Sequence, residues 1–453
     1  MLQMVNEYPQ PVKDYMILRQ GDINDITRED FDYDEDQLRA VDHCLDPIRR
    51  IVAVTGEAGT GKTTIMQDVY RLWKKRGKSV VLCAPTGKAA KRITEATGIA
   101  ACTIHRLLEY PMPGEVDEET GKTLMSSEPK RDRFNRLDHR VVLVDEYAMV
   151  NTEVHRNLLD ALPNGGLIRM FGDANQLQPI EPRSNKRKIV SPFNRMLDKY
   201  DGTWLHNIHR QSEDSSIISN GHKILQGIMP SRKDDFVMKI TDEPVRCIEE
   251  LVMDSTVNNQ GVDFNSIDNQ IITSTNLGWT GTTALNATVQ GILHPTRKES
   301  FDLDRHKWDK KKGPEALKIF IGDKVIQNKN QYSLDPPIFN GETGIVIDID
   351  SAGGVVIDFG DKEGVVPTLL EMSGKEGTFY INPQKDLTLA YVITTHKAQG
   401  SEYDEVFYVI NRSRPFQLNK KNFYTAVSRA KKKVTVITDQ RALQLSLYKS
   451  GED

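Results

Sequence analysis

The chain has 453 residues, 60 basic against 64 acidic for a formal net charge of −4, and is 38% hydrophobic. A length near three times the ~150 residues of one ordinary domain, with an ordinary apolar share, argues against a single core and against extended disorder. The acidic balance supplies no long-range field for a polyanion, so any nucleic acid must be gripped locally; Cys44, Cys83, Cys102 and Cys247 have neither disulfide-framework nor zinc spacing.

Residues 1–31 are polar, carry Pro9 and Pro11, and predict an N-terminal arm. This start lacks a basic region before an apolar one, and no run approaches the ~20 apolar residues of a membrane span. Neither export nor membrane insertion is expected, and a cytoplasmic setting fits, a host's cytoplasm were the chain viral. Over 32–200, short apolar runs at Ile51–Val54, Val80–Cys83, Val141–Val144 and Leu167–Phe171 alternate with helical stretches, the pattern of buried parallel strands. The stretch Thr63–Lys78 places Ile65, Val69 and Leu72 on one stripe and stops near Gly77. A turn-rich, charged segment at 109–138 interrupts this unit and predicts a protruding hairpin. A second α/β unit is expected over 201–300 and 386–453, with strands at Gln270–Thr273, Leu387–Val392, Val406–Ile410 and Val434–Ile437 and a helix over Thr282–Leu293. Residues 301–385, with short alternating runs between glycines and aspartates, predict a small β-barrel inserted into that second unit.

The sharpest motif is G-x-x-x-x-G-K-T, formed by Gly56, Glu57, Ala58, Gly59, Thr60, Gly61, Lys62 and Thr63 and followed by Thr64. It lies between a predicted strand and a predicted helix, where glycines let backbone N–H groups close around phosphate oxygens and the helix N-terminus faces their charge. Lys62 is then placed for the β and γ phosphates and Thr63 for Mg2+, so ATP with Mg2+ is the expected ligand. At the end of Val141–Val144 come Asp145, suited to the metal, and Glu146, suited to orient and deprotonate a water. Gln37 has an amide that could read an adenine edge, although most glutamines so placed are surface residues. Gln176, Arg210 and Arg429 are candidates to meet charge developing on the γ-phosphate; taken alone, each arginine reads better as a surface ion-pair residue.

Taken in order, the segments resemble the superfamily 1B helicases of the RecD and Dda type. Gln37 is similar to the Q motif, Gly56–Thr64 to motif I, Ala84–Ala90 to motif Ia, and Thr103–Leu108 to motif Ib. Asp145–Met149, Gly172–Pro179, His209–Gln211, Thr394–Glu402 and Tyr424–Ala430 are similar to motifs II to VI. The resemblance implies two RecA-like lobes: 1A at 32–200 with the 109–138 hairpin as insertion 1B, and 2A at 201–300 and 386–453 with 301–385 as an SH3-like 2B. Insertion 1B lacks an obvious aromatic wedge, since Tyr110 and Phe134 stand at its margins, and Tyr147 replaces a common serine, a change expected to bear on lobe coupling and not on the metal.

The same resemblance implies that Lys62, Thr63, Asp145, Glu146, Gln176, Arg210 and Arg429 serve the triphosphate and that Glu402 reaches the ribose. It puts single-stranded DNA on Thr86, Lys88, Thr103, His105, Asn340, Thr395, His396 and Gln399, backbone-gripping groups suited to sequence-independent travel. The basic run Arg305–Lys312 reads instead as a solvated loop. The function implied is an ATP-dependent DNA helicase moving 5′ to 3′, a monomer acting on single strands and tailed duplexes, with a single-strand-binding protein as a candidate partner. An RNA-directed relative and a nucleotide-gated loader without net travel are the alternatives.

Overall fold

The computed structural model describes residues 33–111, 128–179, 191–209, 215–257, 261–294, 300–301, 319–331, 334–351, 353–360, 362–367, 370–374, 377–381, 383–412 and 415–450. The N-terminal arm, most of the 109–138 insertion, Arg210 and the Arg305–Lys312 run lie outside them. The chain divides into two units: 1–111, 126–174 and 178–212 form the first, and 112–125, 175–177 and 213–453 the second.

In the first unit, α1 (Glu35–Leu45) starts at a capping box in which Asp34 and Gln37 satisfy each other's backbone N–H. There follow β1 (Ile51–Gly56), α2 (Lys62–Lys75), β2 (Val80–Ala84), α3 (Gly87–Thr97), β3 (Ala101–Thr103), α4 (Ile104–Leu107), β4 (Val141–Val144), α5 (Thr152–Ala161), β5 (Leu167–Gly172), α6 (Pro192–Lys199) and β6 (Thr203–Leu205). The strands form one parallel sheet in the order β3-β2-β4-β5-β1-β6. Helices cover both faces, so strand residues alternate between two cores: Val52, Val54, Val141 and Leu143 pack with α1 to α3, whereas Ala53, Val142 and Val144 pack with α5 and α6. The stripe read from the sequence holds, with Ile65, Val69 and Leu72 buried and Gly77 at φ 70° just past the helix end.

The second unit opens with α7 (Ser216–Gln226), β7 (Phe236–Ile240), α8 (Pro244–Val257), β8 (Asn269–Thr273) and α9 (Thr282–Leu293). Short pairs follow, β9 (Ser300–Phe301) with β10 (Ile319–Phe320), then β11 (Lys324–Gln327), β12 (Thr343–Ile349), β13 (Val355–Asp358), β14 (Glu363–Val366) and the hairpin β15 (Leu370–Gly374) with β16 (Gly377–Ile381). The chain ends with β17 (Leu387–Leu389), β18 (Val392–Thr394), α10 (Thr395–Ala398), β19 (Tyr403–Ile410), α11 (Lys420–Val427), β20 (Ala430–Thr438) and α12 (Gln440–Tyr448). A parallel sheet, β18-β8-β19-β20-β7, forms the body.

Two expectations need correction here. The run Leu387–Val392 is not one strand: β17 pairs antiparallel with β11 in the small sheet, and β18 pairs parallel with β8 in the large one. Apolar continuity marks burial and says nothing of which sheet a residue joins. The inserted sheet is antiparallel as expected, but its order β14-β13-β12-β11-β17 has no pairing between first and last strands, so among the described residues it is open and not a closed barrel.

Candidate nucleotide site and strand-facing edge

Strand order places the chemistry of the first unit. The loop after β1 and the carboxylates after β4 leave the same edge of the parallel sheet, separated only by β5, whose Gly172–Asp173 end lies between them. The loop is shaped by its glycines: Gly59 and Gly61 have φ of 86° and 84°, and a Cβ on Gly61 would stand 2.5 Å from Gln37 Nε2. Gly61 caps α2 without a side-chain bond and no acid occupies the first turn, so the helix turns unshielded N–H groups and positive potential to the loop. Lys62 Nζ donates to the carbonyls of Gly56 and Glu57, each at 2.7 Å, while Thr60 is buried. Ala58, Thr63 and Thr64 are part-buried on the same turn.

Gln37 braces this loop. Its Nε2 donates to the Thr60 carbonyl at 3.2 Å and its Oε1 accepts from Asp34 N–H at 3.1 Å. The segment leading into the motif IV match covers it, a contact that residue type alone does not encode: His209 N–H donates to the Gly59 carbonyl at 2.9 Å, while Asn207 and His209 reach Asp34 at 3.0 and 3.2 Å. Burial works to raise the Asp34 carboxyl, but bonds from Gln37 N–H, Asn207 and His209 outweigh it and hold it below the ordinary range.

Burial, and then the charge of Glu146, push the Asp145 carboxyl up to about 6 against the pull of Lys62. A desolvated carboxylate repelled by its neighbour is a ready partner for a cation. Glu146 has φ 51° and ψ 38°, the left-handed region that an L-residue with a long side chain enters only under constraint. The constraint is visible: Glu146 N–H donates to Asp145 Oδ1 at 2.8 Å, and Tyr147, wholly buried, bonds His155 Nδ1 through its hydroxyl at 2.9 Å. Tyr147, the residue unusual for the motif, is thus an interior anchor of the first unit. Among the described residues no group of three or more His, Cys, Asp or Glu forms a metal cage. The cradle, unshielded helix start and paired carboxylates together fit a nucleotide triphosphate with its cation.

The remaining residues divide between the units. In the first, Thr86 and Thr103 each cap a helix, accepting from Ala89 and Arg106 N–H; Lys88 is part-buried, and His105 is exposed beside the Tyr110 ring. In the second, Gln176 is buried in the run 175–177, where the neighbouring Leu177 N–H donates to Thr425 Oγ1 at 2.9 Å and its carbonyl accepts from Gln399 Nε2 at 3.1 Å. Thr395 is fully buried and its hydroxyl donates to Asn422 Oδ1 at 2.7 Å, so that hydroxyl serves the core and does not face a strand. Arg429 is 3% exposed, its guanidinium donating to the carbonyls of Thr425 and Ser401 and to Ser428 Oγ. His396 and Glu402 are part-buried, and Asn340 is exposed on the small sheet.

A family profile described as an AAA domain matches residues 32–238, and one described as a UvrD-like helicase C-terminal domain matches 389–437. The chain is 29% identical over 414 residues to the ATP-dependent RecD2 DNA helicase of Deinococcus radiodurans, covering 89% of this chain and 49% of that protein. Over most of its own length the chain is similar in sequence to RecD-type DNA helicases. With the RecBCD enzyme subunit RecD of Mycolicibacterium smegmatis, another RecD-type relative, it is 26% identical over 437 residues, covering 88% of this chain and 70% of that one. It therefore spans about half the length of one curated relative and more than two thirds of the other. In fold it is similar to the Bacteroides Pif1 helicase solved with ADP-AlF3 and single-stranded DNA, at 20% identity and a TM-score of 0.55 over 90% of this chain and 93% of that one. No described helix is long and apolar enough to cross a membrane.

Proposed function

We propose that this chain is an ATP-dependent DNA helicase that travels 5′ to 3′ along a single strand and opens duplex ahead of it. The observation that carries the reading is Glu146 in a left-handed backbone conformation at the end of β4, one strand away from the phosphate cradle. Glu146 accepts the proton of the attacking water. The loop carbonyls now bonded to Lys62 are neutral, so charged phosphate oxygens draw the ammonium to themselves. Thr63 and Asp145 are the residues that would hold Mg2+, which would supply positive charge at the triphosphate. Arg429, with Arg210 and Gln176, completes charge compensation at the transferring group, and closure of the RecA-like units on ATP is what moves the strand; both assignments are supported by the family resemblance.

The test uses duplexes with a single 5′ or 3′ tail, incubated with ATP and Mg2+ and followed by strand displacement. Unwinding from the 5′ tail is expected, and unwinding from the 3′ tail alone overturns the polarity. ATP turnover is expected to rise steeply with single-stranded DNA and less with RNA. Turnover indifferent to any strand would favour the loader, and a preference for RNA the RNA-directed reading. Light scattering is expected to give a monomer, and pull-down with a single-strand-binding protein tests that partner.

A further inference from the structure

The loop Ser274–Gly281, between β8 and α9, carries two large apolar side chains into solvent: Leu277 is 58% exposed and Trp279 is 85% exposed. Nothing in the nucleotide chemistry uses them. Indole is the largest apolar side chain available, and a loop that displays it in water forgoes ~2 kcal/mol of burial.

The loop is not slack. Thr273 Oγ1 donates to the Thr280 carbonyl at 2.8 Å, Thr282 N–H to the Thr275 carbonyl at 3.1 Å, and Gly281 N–H to the Gly278 carbonyl at 3.0 Å. Thr275 Oγ1 exchanges bonds with the N–H and carbonyl of Leu277, both at 3.2 Å, and Thr282 Oγ1 donates to Asn276 Oδ1 at 2.9 Å. A Cβ on Gly281 would come within 2.6 Å of the Asn276 backbone, so the loop closes on itself at contact distance. Ser274, Thr275 and Thr280 are buried beneath it. The indole is therefore held out from a braced base.

Its position says what for. Thr273 ends β8 in register with Thr394, which ends β18, so the two loops leave the same edge of the parallel sheet side by side. Thr395 Oγ1 also lies 3.4 Å from the Thr273 carbonyl. The neighbouring loop is the motif V helix with part-buried His396 and exposed Lys397, whose Nζ reaches Asn328 Oδ1. An exposed aromatic beside polar and cationic groups is the composition of a single-strand channel, where bases stack on π-faces and cations follow the phosphates. A protein-docking site of comparable strength needs a contiguous apolar patch, whereas Asn276 and Gly278, the loop's other exposed residues, add none.

We infer that Trp279, with Leu277 beside it, is a stacking platform for an unstacked base of the bound single strand. This rests on the strand-binding reading of the chain. The base is gripped by its face, so the contact is indifferent to sequence and compatible with travel.

The test measures binding of a twelve-residue oligothymidylate and of an abasic oligomer of equal length, by fluorescence anisotropy across a salt series, for the wild type, W279A and W279F. The wild type is expected to prefer the base-bearing oligomer. W279A should bind it about tenfold more weakly, keep its affinity for the abasic strand and keep the salt slope, since no phosphate contact is lost. W279F should fall between, and all three should melt at one temperature because the side chain is exposed. Unchanged binding by W279A overturns the proposal, as does an equal loss on both oligomers, or a changed KM for ATP with DNA affinity intact. Failure of the wild type to bind either oligomer overturns the underlying strand-binding reading, a result separable from the others.

Discussion

At the edge of the first sheet the reactive groups are set out by backbone: glycines at positive φ open the loop after β1, Glu146 is bent outward after β4, and Tyr147 and His155 hold that bend from within. At the corresponding edge of the second sheet the motif residues are enlisted in packing. The Thr395 hydroxyl is bonded to Asn422, Gln399 to the Leu177 carbonyl, and the Arg429 fork to two carbonyls and a serine. Similar motif matches thus mean different things at the two edges. In the first unit the matched residues stand on a glycine-opened loop and a left-handed turn; in the second several of them are hydrogen-bonded into the surrounding backbone.

Substitution separates the two cases. E146Q should leave ATP binding intact and slow hydrolysis by about 10²- to 10⁴-fold, the usual share of a general base, without lowering thermal stability because it removes repulsion with Asp145. Single-turnover hydrolysis with parallel melting checks this, and a normal rate would remove Glu146 from the base role. The anchor beneath it should show in pH. Burial, aided by Arg195, depresses the His155 pKa to about 4, so its neutral form is favoured on folding. Stability from this group is present above the ordinary histidine range and drains as pH falls toward 4, because the unfolded chain takes up the proton first. Between pH 7 and 5 the loss should be about 2 kcal/mol, and urea titrations of H155N should lack that increment. The smallest effect belongs to the second unit. T395V should cost about 1 kcal/mol in denaturant unfolding and T395S almost nothing, since Asn422 Oδ1 keeps a bond from Tyr408. If T395V instead weakened DNA binding with stability unchanged, the hydroxyl would face the strand after all.

Much of this was legible beforehand, and the exceptions have physical causes. The helix over Thr282–Leu293 and the core strands follow from periodicity, and the phosphate loop from its spacing between strand and helix. Periodicity could not reveal that Leu389 and Val392 belong to different sheets, because both are simply buried. The Tyr147–His155 bond was invisible for another reason: it depends on how the turn after β4 packs against α5, and no residue-type pattern encodes that. One aromatic in a glycine-bearing turn has no spacing to read, so only exposure marks Trp279. Arg210 and residues 112–127 fall outside the described residues.

The splice between the two sheets of the second unit has a mechanical corollary. Only Ala390 and Tyr391, both buried, connect β17 to β18, and Tyr391 is tied further by its hydroxyl to Asp323 at 2.9 Å. A tether of two clamped residues has no play. A rotation of the appended sheet about this joint would therefore be passed to Thr394 and the helix after it before it could be absorbed in slack chain.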